Sequence, residues 1–311
     1  YTSLSVRPNV GDVDASFRAA LTEVHRIQQH GFTEIELNRE KMRMLRRMEN
    51  LVTEQEKTPS RQHIEELKRH FVAGETVPGI QAEFALIGEL LPSISLDDLA
   101  TFSSSWMTDP RQTLIARLAA GPQTTPVTRE RLEQTLKSVA ASTVDPYTER
   151  TLPDSLMSIP ETTVPVEQVR TLSAIDAEEW TLPNGMRIIV KATPFKEDEV
   201  QFRFSSWGGH SGAADVDYPS ASMAVSAAMQ SGIASFTNIE MGRMLTGKTV
   251  SVRPFIGETR QGMSGSFSPK DAETAFQLIH LYLTQPRFDA ERFQTYLTQR
   301  KAGLTTREAD P

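Results

Sequence analysis

Trp180-Thr181-Leu182-Pro183-Asn184-Gly185-Met186-Arg187-Ile188-Ile189-Val190 opens a stretch that runs through Ser206-Trp207-Gly208-Gly209 to Ser231-Gly232. It predicts strands over 179–182 and 187–193, joined by the turn residues Pro183, Asn184, Gly185 and Met186. A third strand is expected over 199–206, closed by Trp207-Gly208-Gly209, and a helix over about 218–231. That helix reads Pro219-Ser220-Ala221-Ser222-Met223-Ala224-Val225-Ser226-Ala227-Ala228-Met229, with neither His nor Glu. Small residues of this kind suit tight packing of a helix on a sheet, and none of them ligates a metal or activates water.

Working forward, residues 238–245 form a shorter helix capped by Thr237, 249–255 and 262–268 two strands, and 271–283 and 289–306 two closing helices. Working backward, residues 142–170 hold Pro146, Pro153, Pro160 and Pro165 among many Ser and Thr, without a sustained period. That composition is a linker's, too long for a connection inside one domain. Residues 1–141 are then a helix-rich first domain, 142–171 the Pro/Ser/Thr-rich linker, and 172–311 a sheet-plus-helix second domain. The expected fold class is α+β, two α/β domains, each an antiparallel sheet backed by helices.

In the first domain a short strand is expected over 2–7, and an amphipathic helix from the cap Asp14 to His30-Gly31. Thr33 and Glu36 form a capping box for a long helix that carries Met42, Met44 and Met48. Ser60 is expected to cap a third helix ended by Gly74, residues 80–91 form a fourth, and Ser95 caps a fifth over 96–106. A strand over 111–119 and a helix over 128–141 complete it. Residues 4–47 and 250–300 share an order of strand, turn, Asp-Ala-led helix, Phe, cap and long helix. Ser5-Val6-Arg7-Pro8 echoes Ser251-Val252-Arg253-Pro254, and Phe32-Thr33 matches Phe288-Asp289. Duplication of one α/β module accounts for the pattern, though two amphipathic helices in series also arise by coincidence.

The chain has 311 residues, a net charge of −7 and no cysteine. Its length suits two domains, and its scattered Lys and Arg speak against nucleic acid. Disulfides, thiolate metal sites and cysteine nucleophiles are ruled out together. The apolar runs at 82–91 and 276–283 fall short of the roughly 20 residues of a membrane span. The absence of cysteine fits an oxidising compartment such as a periplasm, though cytosolic proteins without it are common. Tyr1 and the helical pattern up to Pro311 suggest ends cut from a longer chain.

No catalytic, cofactor-binding or metal residue emerges. His63, Glu66 and His70 share a helix face, but two turns, roughly 10 Å, separate the histidines, too far for one cation. His63-Ile64-Glu65-Glu66-Leu67 misses the inverted His-x-x-Glu-His motif at its last residue. His210 lies on a glycine-rich loop, Gly208-Gly209-His210-Ser211-Gly212, that lacks the ending of a phosphate loop and is read as a turn. Ser264, in Gly262-Met263-Ser264-Gly265, alternates as a strand and is not a nucleophile elbow. Met42, Met44 and Met48 are read as core packing, and Asp97-Asp98 as charge at a helix start.

The second domain resembles the insulinase/pitrilysin family of zinc metallopeptidases. The residues that carry the likeness are those from Leu182 to Val190, Ser206-Trp207-Gly208-Gly209, Ser231-Gly232-Ile233, Arg287-Phe288-Asp289 and Arg307-Glu308-Ala309-Asp310-Pro311. In the first domain Gly31-Phe32-Thr33-Glu34-Ile35-Glu36-Leu37, Glu56-Lys57-Thr58-Pro59 and Leu90-Leu91-Pro92-Ser93-Ile94-Ser95-Leu96-Asp97-Asp98-Leu99 resemble that family's helical second domain. The resemblance implies a clamshell of two similar halves, of which this chain spans the back of the first, the connection and the front of the second. It departs from the catalytic pattern where a zinc half carries His-x-x-Glu-His, at residues 219–229, and where the third ligand would stand, near Ala302-Gly303-Leu304. What it implies is a non-catalytic central segment of a zinc endopeptidase, forming chamber wall and hinge, with no cofactor of its own and zinc elsewhere in the parent. Its partners would be peptide or unfolded protein substrates and the parent's remaining domains, without nucleic acid or a membrane span, in a periplasmic or secreted setting (alternatively cytoplasmic). A catalytically inactive peptidase-like scaffold subunit is the alternative, and an unrelated two-domain α/β interaction module a third reading.

Overall fold

A computed structural model describes residues 4–6, 13–104, 106, 128–160 and 163–308. Its first region is helical: α1 (Val13–His30), α2 (Glu34–Thr53), α3 (Ser60–Ala73), α4 (Ile80–Leu90), α5 (Leu96–Ser103) and α6 (Arg129–Ala140). The α2 start follows the expected capping box, with Glu36 N–H donating to Thr33 Oγ1 and Thr33 N–H donating to the Glu36 carboxylate. Ser95 and Asp98 do the same for α5. Ser60 does not cap α3 as expected: it is already helical, and Pro59, which has no side-chain donor or acceptor, holds the cap position. The α5 helix ends at Ser103, and the expected strands over 2–7 and 111–119 fall wholly or largely outside the described residues; residues 4–6 form no strand. α1 packs on α6 and α5, and α2 packs on α4.

The rest holds β1 (Gln168–Leu172), β2 (Ala177–Thr181), β3 (Arg187–Val190), β4 (Val200–Trp207), α7 (Tyr218–Ser231) and α8 (Asn238–Met244). It ends with β5 (Val250–Ile256), β6 (Arg260–Phe267), α9 (Ala272–Thr284) and α10 (Ala290–Glu308). The fold is α+β, helices plus two small antiparallel sheets; among the described residues both sheets lie in this second part, and α7 and α9 pack on the second of them. The three strands of the opening stretch do not share a sheet, however. β1-β2-β3 form one antiparallel sheet, and β4 pairs with β6 in a second, of order β4-β6-β5. Register explains the split: all eight residues of β4 pair with β6, which comes more than fifty residues later. β1 begins at Gln168, inside the stretch read as linker from composition.

The second sheet carries the main core. Val252 of β5 and Met263 of β6 meet Leu278 and Leu281 of α9, Met241 of α8, and Ile233 and Phe236 of the turn after α7. Leu156 joins this cluster from the proline-rich segment. That segment is held as a strap. His30 Nε2 lies 2.6 Å from Val144 O, Arg26 Nε donates to Asp145 O, and Gln277 Nε2 donates to Met157 O. Glu149, its side chain 6% exposed, sits between Arg39 of α2 at 2.5 Å and Arg243 of α8 at 3.4 Å.

Candidate functional site

The side chains singled out in the sequence do not converge. On α3, His70 Nδ1 lies 2.5 Å from Glu75 O. His25 contacts Ser142 O at 3.0 Å, and His210 packs edge-on against Tyr218. Among the described residues no group of three or more His, Cys, Asp or Glu is placed to hold a metal. α7 packs on α10 and β5, and Ala227 and Ser231 are buried. Its Ala, Ser, Met and Val side chains do not fit a zinc ion, whose protein ligands are His, Cys and carboxylates. Ser264 lies within β6, paired with both Arg203 and Arg253 across its neighbours.

Gly208 and Gly209 supply the turn expected of them. Gly209 has φ 97°, and a Cβ there would stand 2.4 Å from Glu258 O. His210 N–H and Ser211 N–H donate to Gly257 O and Glu258 O, which ties the end of β4 to the β5–β6 hairpin. The methionines divide: Met48 is buried, but Met42 and Met44 are exposed, so only Met48 is core. Met42 instead borders the Gly247 turn, where a Cβ on Gly247 would stand 3.7 Å from Met42 Cβ. The Asp98 carboxylate accepts from Ser95 Oγ and Ser95 N–H, which holds its pKa below the ordinary range, as a helix-start charge should.

The most developed polar site was not foreseen. It lies where α2 meets the turn between α8 and β5. Thr246-Gly247-Lys248 turns with Gly247 at φ 76°, in the left-handed region glycine adopts freely, and a Cβ there would come within 3.7 Å of Met42 Cβ. Asn50 Nδ2 donates to Thr249 Oγ1 at 2.8 Å. Beside it, Arg46 Nη2 donates to Asp271 Oδ2 at 3.1 Å and stands 3.8 Å from Asp198, while its Nη1 reaches Glu49 at 3.1 Å. These groups are largely out of water: the Arg46, Asp198 and Asp271 side chains are 12%, 15% and 10% exposed. Asp271 also accepts from Thr249 N–H at 2.7 Å, and Asp198 from Ser268 Oγ at 2.7 Å. Burial works against the charge on Arg46, but Glu49, Asp271 and Asp198 outweigh it and raise its pKa above the ordinary value.

At the C-terminal cap of α2, Glu54 Oε1 accepts from the N–H groups of Glu197 and Asp198, at 3.0 and 2.9 Å. Burial pushes its pKa up, yet these hydrogen bonds and Lys196 hold it below the usual carboxylate range. A cleft of roughly 420 Å³ opens over this junction. Arg43, Arg46, Arg47, Lys57, Lys196 and Lys248 line it, against the single carboxylate of Glu54. No local motif marks the site, because Arg46 and Asp271 stand 225 residues apart. The Asp-Ala helix start at Asp271 was the only sequence signal near it.

The described residues thus give an α+β scaffold of small antiparallel sheets with α7 and α9 packed on the second sheet, a glycine turn after β4, and a helix, α7, without metal-ligating side chains. The chain is 26% identical over 294 residues to a "Zinc protease PQQL-like" protein of Arabidopsis thaliana, covering 94% of this chain. It is 21% identical over 257 residues to the "Probable zinc protease PqqL" of Haemophilus influenzae, covering 83% of this chain. It spans only 28% of the length of each of these curated relatives. Among solved structures, a mutant of the ferredoxin protease FusC in complex with Arabidopsis ferredoxin matches with a TM-score of 0.53 and 21% identity. That match covers 97% of this chain and 36% of FusC, and it supports the fold. No family model matches the chain. The resemblance to insulinase/pitrilysin-type zinc proteases thus extends over most of the chain.

Proposed function

We propose that this chain is the non-catalytic central segment of a zinc metalloendopeptidase of the insulinase/pitrilysin type. In this reading it contributes chamber wall and hinge for peptide substrates, and zinc is held by the parent outside the segment. The observation that carries the proposal is the match of 94% of the chain to 28% of a zinc protease. The α7 helix supports it, since its side chains offer nothing to zinc. The division into a helical region (1–141), a connection (142–171) and a sheet-plus-helix region (172–311) belongs to the same proposal. The connection acts as a strap rather than a loose tether, through Glu149 between Arg39 and Arg243. Its substrates would be peptides or unfolded proteins, and its permanent partners the remaining domains of the parent.

A periplasmic or secreted setting completes the proposal; among the described residues no helix is long and apolar enough to cross a membrane. The test is metal analysis and a peptidase assay on the purified chain. We expect no stoichiometric zinc and no hydrolysis, with both present in the parent; chelator-sensitive peptidase activity in this chain alone would refute the reading. If the parent also lacks zinc and activity, the chain belongs instead to an inactive peptidase-like scaffold subunit.

A further inference from the structure

The cleft over the α2 junction carries more positive charge than its structural role uses. Of its six cationic side chains, four are accounted for. Arg46 is held by Glu49, Asp198 and Asp271, and Arg43 pairs with Glu40. Lys57 stands 3.5 Å from Glu197, and Lys196 stands 3.5 Å from Glu54. Arg47 and Lys248 are exposed and have no ion-pair partner among the described residues. They come from α2 and from the Gly247 turn, about 200 residues apart, and the Asn50–Thr249 hydrogen bond and the seating of Gly247 on Met42 bring them to one cleft. A chain with a net charge of −7 thus concentrates uncompensated positive charge in one partly enclosed place. Low-dielectric walls strengthen such a field.

We propose that this cleft docks an acidic peptide segment, whose carboxylates pair with Arg47 and Lys248. The inference deepens the chamber-wall reading and rests on it for the choice of a peptide over another anion. A volume of roughly 420 Å³ suits a short segment rather than a folded surface. The overall acidity of the chain disfavours nucleic acid, which needs an extended basic surface. The guanidinium of Arg47 can take a carboxylate with two parallel hydrogen bonds, and the ammonium of Lys248 adds a point charge.

The test is fluorescence anisotropy of a labelled peptide alternating Glu and Gly, titrated with the 311-residue chain, beside a twin peptide with Gln in place of Glu. The Glu peptide should bind about tenfold more tightly than its Gln twin, the equivalent of two partly screened ion pairs, and weaken as salt rises. Arg47→Gln combined with Lys248→Gln should lose that preference, while Lys248→Arg keeps it. Both side chains are exposed, so the far-UV circular dichroism of these variants should match the parent chain. Equal binding of the two peptides, or a preference that survives the double Gln variant, would overturn the proposal. Tighter binding of a phosphoserine peptide or of inorganic phosphate would overturn it in favour of a phosphate site. The assay involves no catalysis, so its failure leaves the chamber-wall reading standing; that reading fails on zinc and peptidase activity instead.

Discussion

Replacing Arg46 by Met keeps most of the side-chain volume and removes the cation on which three carboxylates converge. What remains decides the cost. Asp271 keeps the Thr249 N–H at 2.7 Å and Asp198 keeps the Ser268 hydroxyl at 2.7 Å, so neither is left without a donor. Both would nonetheless be largely buried negative charges facing one another with no cation between them. Removing one partner of a buried pair costs about 3–5 kcal/mol, and the surviving hydrogen bonds place this case at the lower end, about 3 kcal/mol. For a chain of this size that corresponds to a fall in Tm of about 5 °C. Urea unfolding followed by circular dichroism gives the free energy, and a thermal scan gives Tm. A cycle with Asp271→Asn isolates the pair, with an expected coupling of about 1–3 kcal/mol. If Arg46→Met costs less than about 1 kcal/mol, the contact is worth no more than an exposed ion pair, and the junction is not held by this cluster.

Glu54→Gln leaves the amide oxygen to accept from Glu197 N–H and Asp198 N–H but removes the charge, so urea unfolding should show a loss of about 1–2 kcal/mol at neutral pH. Glu54 and Glu240 both have folded pKa values below the ordinary one, Glu240 chiefly through the Thr237 N–H, against burial, with the Thr237 hydroxyl and Arg150 adding to it. A depressed carboxylate stabilises fully above its unfolded pKa and loses that contribution as pH falls through the folded value. Stability should therefore decline below about pH 4.5, and less steeply in the Glu54→Gln, Glu240→Gln variant, as read from unfolding curves across pH. Gly232→Ala places a Cβ 2.1 Å from Phe236 O at φ 96° and should cost at least about 2 kcal/mol, measured by thermal unfolding.

Local chemistry was legible in the sequence at most helix starts, the Ser60 cap excepted. Thr33-Glu36, Ser95-Asp98 and Thr237-Glu240 satisfy helix ends from side chains three residues apart, so the pattern carries the geometry. The Gly208-Gly209 turn and the α7 helix were readable for the same reason. β1 was not, because Val169 is 58% exposed: the strand is held by its backbone ladder to β2, and no apolar face marks it. Whether β4 would join β3 or β6 is a question of long-range register, which alternation alone leaves open. The composition of residues 142–160 reads as solvated linker, yet Leu156 is buried and Glu149 is clamped between two arginines, because its partners lie on α2, α8 and α9.

The junction bears on the hinge in the proposed function. A hinge absorbs motion through few contacts, whereas here Arg46 and Asn50 of α2 and Glu54 at its C-terminal cap stand at intervals of four, and each holds a different partner segment: Asp271, Thr249, and the backbone at 197–198. One face of one helix is thereby fixed to a helix start, a turn and a loop at once. Such a row couples those segments, since displacing one strains the other two. That row also fixes the spacing of Arg47 on α2 and Lys248 on the Gly247 turn, as the proposed docking of an acidic segment requires.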